Sequence, residues 1–281
     1  MTRLEDFPVE SVRFQGSTLR VEDLAHGVRR LLLARPGVCN AFDGDMIREL
    51  VGALEELAAI PDLRLLLLEG EGSVFCAGAD LAYMKEQGAA PPERNLEAAR
   101  GLGRMFLALA SFPAPVVAFV RGAAIGGGLG LAVCSDFVLA EAGAVFATSE
   151  VMLGLVPAVI GPFVVRKLGL DRAAPLMLTG RRVRGAEAVA AGLAQRLVEP
   201  PEPPEEALAR VLREFLAAGP RAARATRELL NRIVPLPGPE LGEFTARTIA
   251  QARESREGQE GLQAFFRKAP APWAVVPERK A

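Results

Sequence analysis

The sequence predicts an α/β fold, and two kinds of segment support that prediction. Largely apolar runs of strand length, at residues 28–33, 63–68 and 113–120, alternate with stretches whose apolar residues recur at helical spacing. Repeated strand-strand-helix units would give this alternation, because strands that are apolar throughout are buried on both faces. From about residue 200 the pattern is almost wholly helical, which predicts a helical C-terminal region.

The elements follow one another in a regular order. After the second strand, the segment GAAPPERN predicts an exposed connection before a helix over residues 96–111. The third strand runs into RGAAIGGGLG, after which a helix is expected from about residue 129, and residues 145–147 form a further short strand.

Three regions are expected along the chain. Residues 1–27 form an N-terminal extension and a first hairpin, with His26 as an exposed hairpin residue. Residues 28–200 form the core, and the proline-rich EPPEPPEEA marks the start of a helical region over residues 201–281.

The composition excludes several classes of protein. With 33 basic and 34 acidic residues among 281, the chain lacks the basic excess that nucleic-acid binding needs. Its uncharged stretches are shorter than the roughly 20 residues that span a bilayer, so no membrane association is expected. Three cysteines without a CxxC pair fit neither a disulfide framework nor a zinc ribbon. A cytoplasmic location is therefore expected.

The single histidine limits the chemistry further. A Ser-His-Asp triad, a Cys-His pair or a multi-histidine metal site would have to use His26, so no metal site is expected. The sequence also lacks the GxSxG of a serine nucleophile elbow, and Cys76 is interpreted as a small buried thiol. Carboxylates and backbone groups are therefore the expected catalytic groups.

Two glycine-rich loops each follow a buried strand and precede a helix: FCAGADL at residues 75–81 and GAAIGGGLG at residues 122–130. Unpaired amides at a helix start suit either a phosphate or a developing oxyanion. No GKS or GKT follows the glycines, and the spacing departs from the dinucleotide fingerprint. Tight strand-to-helix packing is the structural alternative.

Glu150 is the candidate acid. It stands just after the strand at residues 145–147 and begins an uncharged stretch that reaches residue 165. Desolvation would raise its pKa toward the range useful for proton transfer. The alternative is a glutamate that caps a helix or forms a salt bridge.

Five segments together resemble the crotonase, or enoyl-CoA hydratase/isomerase, superfamily over residues 28–273. They are RPGVCNAF, FCAGADL, GAAIGGGLGLAVCSDFVLA, FATSEVMLGLVPAVIGP and LQAFFRKAPAPW, with 23 residues from Gly127 to Glu150. The resemblance implies a crotonase fold of repeated ββα turns and a C-terminal trimerisation region. It further implies a homotrimer or a hexamer built as a dimer of trimers, which binds acyl-coenzyme A thioesters without another cofactor.

The resemblance also implies roles for particular residues. The N–H groups of Ala79 and Gly127 would form an oxyanion hole on the thioester carbonyl, beside the catalytic carboxyl of Glu150. Further substrate-binding positions follow by similarity: Ala77, Gly78, Asp80, Leu81, Gly126 and Lys268.

The chain departs from the family pattern where it matters for mechanism. Typical hydratases carry two catalytic glutamates, and the first falls here at Gly130, which has no side chain. A two-acid mechanism would need another acid, such as Glu86, to reach the vacated place, whereas some hydratases of the family use only the second glutamate. The turn after Pro36 lacks the basic residue often found there. In the C-terminal tail, Pro270 and Pro272 are out of register with the family pattern.

These departures leave several functions open. The leading hypothesis is hydration of a 2-enoyl-CoA by Glu150 alone. Its substrate would be a branched, carboxylated one such as methylglutaconyl-CoA, because SEVMLGLVPAVIGPFVV is similar to bacterial hydratases of that kind. Such an enzyme would act in fatty acid metabolism or branched-chain amino acid degradation. The alternatives are a Δ3,Δ2-enoyl-CoA isomerase and a catalytically weak acyl-CoA-binding or assembly subunit.

Overall fold

The computed structural model describes residues 4–274, which form ten strands and eleven α-helices. The strands are β1 (Val9–Gln15), β2 (Leu19–Leu24), β3 (Val28–Leu33), β4 (Leu65–Gly70), β5 (Val116–Val120), β6 (Ala123–Ile125), β7 (Phe137–Glu141), β8 (Val145–Ala147), β9 (Val183–Arg184) and β10 (Arg196–Val198). The helices are α1 (Gly44–Ala58), α2 (Leu81–Ala89), α3 (Pro92–Ala110), α4 (Gly127–Val133), α5 (Gly161–Leu168), α6 (Leu170–Thr179), α7 (Gly185–Ala191), α8 (Pro204–Leu216), α9 (Pro220–Ile233), α10 (Pro239–Glu254) and α11 (Arg256–Phe266).

The strands form two sheets. Seven strands pair in the order β1-β2-β3-β4-β5-β7-β10, with antiparallel pairing from β1 to β3 and parallel pairing from β3 onward. The second sheet has the order β6-β8-β9. The predicted α/β fold is confirmed. The division at residues 27 and 200 stays a prediction, and its ends, residues 1–3 and 275–281, lie outside the described residues.

The central strands β4 and β5 are largely apolar because both faces of the large sheet are covered. In β4, Leu66 and Leu68 belong to the main core with α1 and α3, whereas Leu65 and Leu67 pack in a second cluster with α8. Successive side chains of a strand point to opposite faces, so one run of leucines fills both cores. Each buried leucine stabilises the fold by roughly 1.5–3 kcal/mol.

The two sheets are built by a repeated strand-strand-helix unit, as the sequence predicts. A strand of the large sheet, a short strand of the second sheet and a helix follow in order as β5, β6 and α4, and again as β7, β8 and α5. The earlier loop repeats the pattern with a single bridge between Cys76 and Ala124. Each unit places the loop before its helix on the same side of the molecule.

Helix starts follow from local chemistry. The Asp43 carboxylate accepts a hydrogen bond from the Met46 amide (2.9 Å) and caps α1. The connection expected at GAAPPERN is shorter than predicted, because α3 begins at Pro92, where proline fits the first helical turn. None of the helices within residues 4–274 is long and apolar enough to cross a membrane.

Candidate active site

The two glycine-rich loops lie side by side. The Ile125 amide donates to the Cys76 carbonyl (3.1 Å), and the Cys76 amide donates to the Ala123 carbonyl (3.0 Å). Gly78 follows with φ +94°, and a Cβ atom there would lie 2.7 Å from the Ile125 oxygen and 3.6 Å from the Gly127 nitrogen. Only glycine allows this backbone conformation and this close approach.

The approach brings two unpaired amides together. The Phe42 amide donates to Gly78 (2.8 Å) and the Asp80 amide donates to Phe42 (2.9 Å), which leaves the Ala79 amide between them. Gly127 is the first residue of α4, so its amide has no acceptor within the helix. Among residues 4–274 neither amide has a hydrogen-bond acceptor. Both are therefore available to a negatively charged oxygen, with the α4 dipole adding to the effect at Gly127.

Glu150 lies against the second loop. It sits in a 3-10 turn, Ser149–Leu153, just after β8, and a Cβ atom on Gly126 would lie 3.2 Å from its Oε1. Its Oε2 is buried and has no hydrogen-bond partner among the described residues. Burial raises the pKa of the Glu150 carboxyl to about 7. The described residues therefore contain neither the salt bridge nor the cap that was the structural alternative.

These groups line one cavity of about 910 Å³, the Glu150 cavity. The sequence-predicted residues on its wall are Ala77, Gly78, Ala79, Leu81, Gly126, Gly127 and Glu150. Glu150 is the one carboxylate among the described lining residues, and most of the remaining wall is apolar. The exposed Arg181 and Arg182 are also part of the lining, together with the partly buried Arg253.

The place of the missing acid is filled. A Cβ atom on Gly130 would lie 2.6 Å from Ile160 Cγ2 and 2.7 Å from Phe106 Cε1, so a glutamate does not fit there without rearrangement. Glu86 is exposed on α2 and is not part of the cavity lining. Apolar side chains, rather than another acid, occupy the vacated position.

Two predicted substrate-binding residues lie outside the cavity lining. Asp80 caps α2 by accepting from the Ala82 amide (2.8 Å), and its other oxygen binds Arg35 (3.1 Å). Arg35 also binds Asp43 (3.0 Å), so it joins the starts of α1 and α2. Lys268 is exposed beyond α11. Their contact with coenzyme A stays a prediction.

Two other side chains take no part in the cavity. The Cys76 thiol is fully buried 3.1 Å from the Asn40 carbonyl oxygen, and burial raises its pKa to about 12. Such a thiol is inert, as the sequence predicts. His26 is exposed in the turn between β2 and β3, with φ 66°. Within residues 4–274 no group of three or more His, Cys, Asp or Glu side chains is placed to hold a metal ion.

Arg253 is a lining residue that no sequence motif predicts. It lies on α10, one helical turn after Ile249, and both side chains face the cavity. The signal was present in the sequence, since residues four apart share a helix face. An arginine on the same helix face as apolar residues is unusual for a solvated face. The other charged residues of this helix made the pattern hard to recognise.

The fold and the cavity define a class of protein. Two free backbone amides beside one desolvated carboxyl suit an enzyme that moves a proton while an oxyanion develops on its substrate.

The family follows from comparison with known proteins. The family model for enoyl-CoA hydratase/isomerase matches residues 23–275, and the chain belongs to this family. A Homo sapiens protein, enoyl-CoA hydratase domain-containing protein 2, mitochondrial, is 34% identical over 266 residues, which are 90% of this chain and 88% of that protein. The predicted superfamily and enzyme class are thereby confirmed.

Solved structures agree with this assignment. An enoyl-CoA hydratase from Shewanella pealeana has a TM-score of 0.73 and 36% identity, covering 92% of this chain and 97% of that chain. Pseudomonas aeruginosa AtuE has a TM-score of 0.75 and 36% identity, covering 92% of this chain and 100% of that chain. The fold of the described residues is that of the crotonase superfamily.

Proposed function

We propose that the protein adds water reversibly to the double bond of a 2-enoyl-CoA thioester, with Glu150 as its single acid and base. One observation carries the proposal. The Glu150 carboxyl is the one carboxyl among the described lining residues, and its Oε2 is buried without a partner beside two free amides. A carboxyl in that state is available both to take and to return a proton.

The reaction begins with a water molecule between Glu150 and the β-carbon. The Glu150 carboxylate takes one proton from this water as its oxygen bonds to the β-carbon. The electron pair of the double bond moves onto the thioester, and its oxygen gains negative charge. The Glu150 carboxyl then gives its proton to the α-carbon, so the product carries one added water and the carboxylate is restored.

The charge on the thioester oxygen is stabilised by the Ala79 and Gly127 amides. Each such donor contributes about 10²–10³ in rate, because it is fixed in place before the charge develops. The pKa of about 7 suits Glu150 to both steps, since a group that is neither strongly acidic nor strongly basic exchanges its proton readily. The proposed step needs no metal ion or cofactor beyond the coenzyme A of the substrate.

A Δ3,Δ2-enoyl-CoA isomerase is the second candidate, because a single carboxyl beside two free amides also suffices for that reaction. Glu150 would then move a proton from the α-carbon to the γ-carbon without adding water. Incubation with a 3-enoyl-CoA and separately with a 2-enoyl-CoA distinguishes the two reactions. Hydration gives a 3-hydroxyacyl-CoA from the 2-enoyl substrate, whereas isomerisation only interconverts the two alkenes.

Replacement of Glu150 by glutamine tests the proposal, because glutamine keeps the size of the side chain and loses its acid-base function. The expected loss in kcat is about 10²–10⁴-fold with a 2-enoyl-CoA substrate. Glu86→Gln is the matched control, since Glu86 is exposed outside the cavity, and it should retain full activity. The protein is dialysed against a metal chelator beforehand. Unchanged turnover in Glu150→Gln would contradict the proposal.

The proposal extends to assembly, location and substrate. A homotrimer or a dimer of trimers is supported by large apolar side chains exposed on α9 and α10, namely Leu229, Leu230, Ile233 and Phe244. Light scattering distinguishes these states from a monomer.

The three cysteines are free thiols, as in proteins of a reducing cytoplasm. A branched enoyl-CoA such as methylglutaconyl-CoA is the proposed substrate.

A further inference from the structure

Arg253 lies in a part of the Glu150 cavity with a different wall. Glu150 lies against Gly126 of the second glycine loop, whereas Arg253 shares a helical wall with Met84 of α2, Leu102 of α3 and Leu262 of α11. These neighbours are apolar. A guanidinium at this wall therefore faces the space that an acyl chain bound at Glu150 would enter.

The guanidinium is held in place by an uncharged group. Its Nη1 donates to Oδ1 of Asn95 (3.0 Å), a residue that is fully buried on α3. The Asn95 amide is itself oriented, because its Nδ2 donates to the Ala250 carbonyl (2.9 Å) and to Oε1 of Glu254 (3.0 Å). The carboxylate of Glu254 is thus engaged with Asn95, and an amide oxygen positions Arg253 without neutralising it.

No carboxylate lies within ion-pair distance of Arg253 among residues 4–274. Arg29 and Arg227, the two arginines of the described segment that are buried as whole residues, each bind a carboxylate instead. Arg29 has its Nε 2.8 Å from Asp23, and Arg227 has its Nε 2.7 Å from Asp136. Burial lowers the pKa of the Arg253 guanidinium, although arginine keeps its charge at neutral pH. An unpaired buried charge is costly, and an oriented one is suited to an anionic ligand.

We propose that Arg253 is a specificity-determining residue that binds a carboxylate on the acyl chain, remote from the thioester. Arg253 would thereby select coenzyme A thioesters of unsaturated dicarboxylic acids, the class to which the proposed substrate methylglutaconyl-CoA belongs. Its free carboxylate accepts charge-assisted hydrogen bonds from the guanidinium, while the apolar wall packs the carbons between the two ends. This inference rests on the proposed function, because it places the thioester at the Ala79 and Gly127 amides.

Binding of unreactive thioesters tests the inference without turnover. Glutaryl-CoA and adipyl-CoA end in a carboxylate, and pentanoyl-CoA and hexanoyl-CoA are their neutral counterparts of equal chain length. Isothermal titration should show that each carboxylated thioester binds on the order of 100-fold more tightly than its counterpart, since a buried charge pair is lost in the neutral one. Equal affinity within both pairs would overturn the inference.

Variants assign the preference to Arg253. Arg253→Met should abolish the preference, and Arg253→Lys should retain part of it, because the charge remains but the planar fork is lost. Arg256→Met is the matched control, since Arg256 is exposed and pairs with Glu260 (2.7 Å), so its preference should equal that of the unaltered protein. Circular dichroism shows whether each variant is folded. A preference that survives in folded Arg253→Met would also overturn the inference.

The two proposals fail in different ways. If the protein binds both kinds of thioester equally and still hydrates a neutral 2-enoyl-CoA, the role of Arg253 is wrong and the reaction stands. If carboxylated thioesters bind preferentially through Arg253 but no enoyl-CoA is hydrated, the substrate class stands and the reaction is wrong.

Discussion

Arg227 of α9 has a partner of opposite charge, whereas two charged side chains of the Glu150 cavity have none within the described part of the chain. On α9, the Nε of Arg227 binds Asp136 (2.7 Å), while Nη2 donates to the Leu109 carbonyl (3.3 Å). In the cavity, Glu150 and Arg253 have no partner of opposite charge among the described residues. The first arrangement joins α9 to the end of α3 and the start of β7.

The comparison separates a charge that joins elements of the fold from charges that no other group of the described residues compensates. A buried arginine that binds a carboxylate and backbone carbonyls fixes neighbouring elements, and removing it leaves those acceptors without a donor. A lone buried charge contributes nothing of this kind and is destabilising unless a ligand compensates it. Substitutions in the two regions should therefore change stability in opposite directions.

The largest effect on stability is expected at α9. Arg227→Met removes three hydrogen-bond donors, so the Phe112 and Leu109 carbonyls lose a buried partner while Asp136 stays exposed to water. The loss of these hydrogen bonds should cost about 2–5 kcal/mol in the free energy of unfolding. Urea denaturation measures this. The control is Arg232→Met on the same helix, where an exposed pair with Glu228 should contribute less than about 1 kcal/mol. Equal losses of unfolding free energy in the two variants would show that the buried hydrogen bonds of Arg227 do not stabilise the fold.

The opposite sign is expected at Glu150. Its pKa is raised from 4.5 to about 7 in the folded state, so stability that is present below about pH 4.5 is lost as the pH rises through about 7. Glutamine carries no charge and avoids this loss. Glu150→Gln should therefore be up to about 3 kcal/mol more stable than the unaltered protein at pH 8, and equal to it near pH 4.5.

Thermal and urea unfolding at the two pH values measure the difference. Glu86→Gln again serves as the control, because an exposed glutamate should change stability by less than about 0.5 kcal/mol at either pH. If Glu150→Gln unfolds at the same urea concentration as the unaltered protein at pH 8, the carboxyl is not desolvated.

A smaller effect is expected where the second acid is missing. Gly130→Ala places a Cβ atom 2.6 Å from Ile160 and 2.7 Å from Phe106, which should cost about 1–3 kcal/mol through overpacking. Gly52→Ala in α1 is the matched control, because nothing lies within 4 Å of its Cβ position. Alanine should stabilise that helix by about 0.5–1 kcal/mol. An unchanged free energy of unfolding in Gly130→Ala would show that the space at this position is not closed.

Much of the site was predictable because it depends on local sequence. Glycine-rich loops after apolar strands indicate exposed amides, and an acid at the start of a long uncharged stretch indicates a desolvated carboxyl. Both signals lie within a few residues of the groups that they predict. The fold was predictable for the same reason, since each strand-strand-helix unit is continuous in the chain.

The remainder depends on contacts between distant segments. Asn95 and Arg253 are 158 positions apart, and only the packing of α10 on α3 brings them together. The closed space at Gly130 depends on Phe106 and Ile160, and neither is marked by a local pattern. The predicted start of α3 is wrong for a different reason, because GAAPPERN was interpreted as an exposed connection although proline is favoured in the first turn of a helix.

The packing around Gly130 bears on how this chain can change over evolutionary time. A glutamate at that position requires smaller side chains at both Phe106 and Ile160, since each would lie within 2.7 Å of its Cβ atom. Each of those replacements alone would leave a hole in the core and reduce stability by roughly 2–5 kcal/mol. The route from one cavity carboxyl to two at this position therefore passes through intermediates of reduced stability.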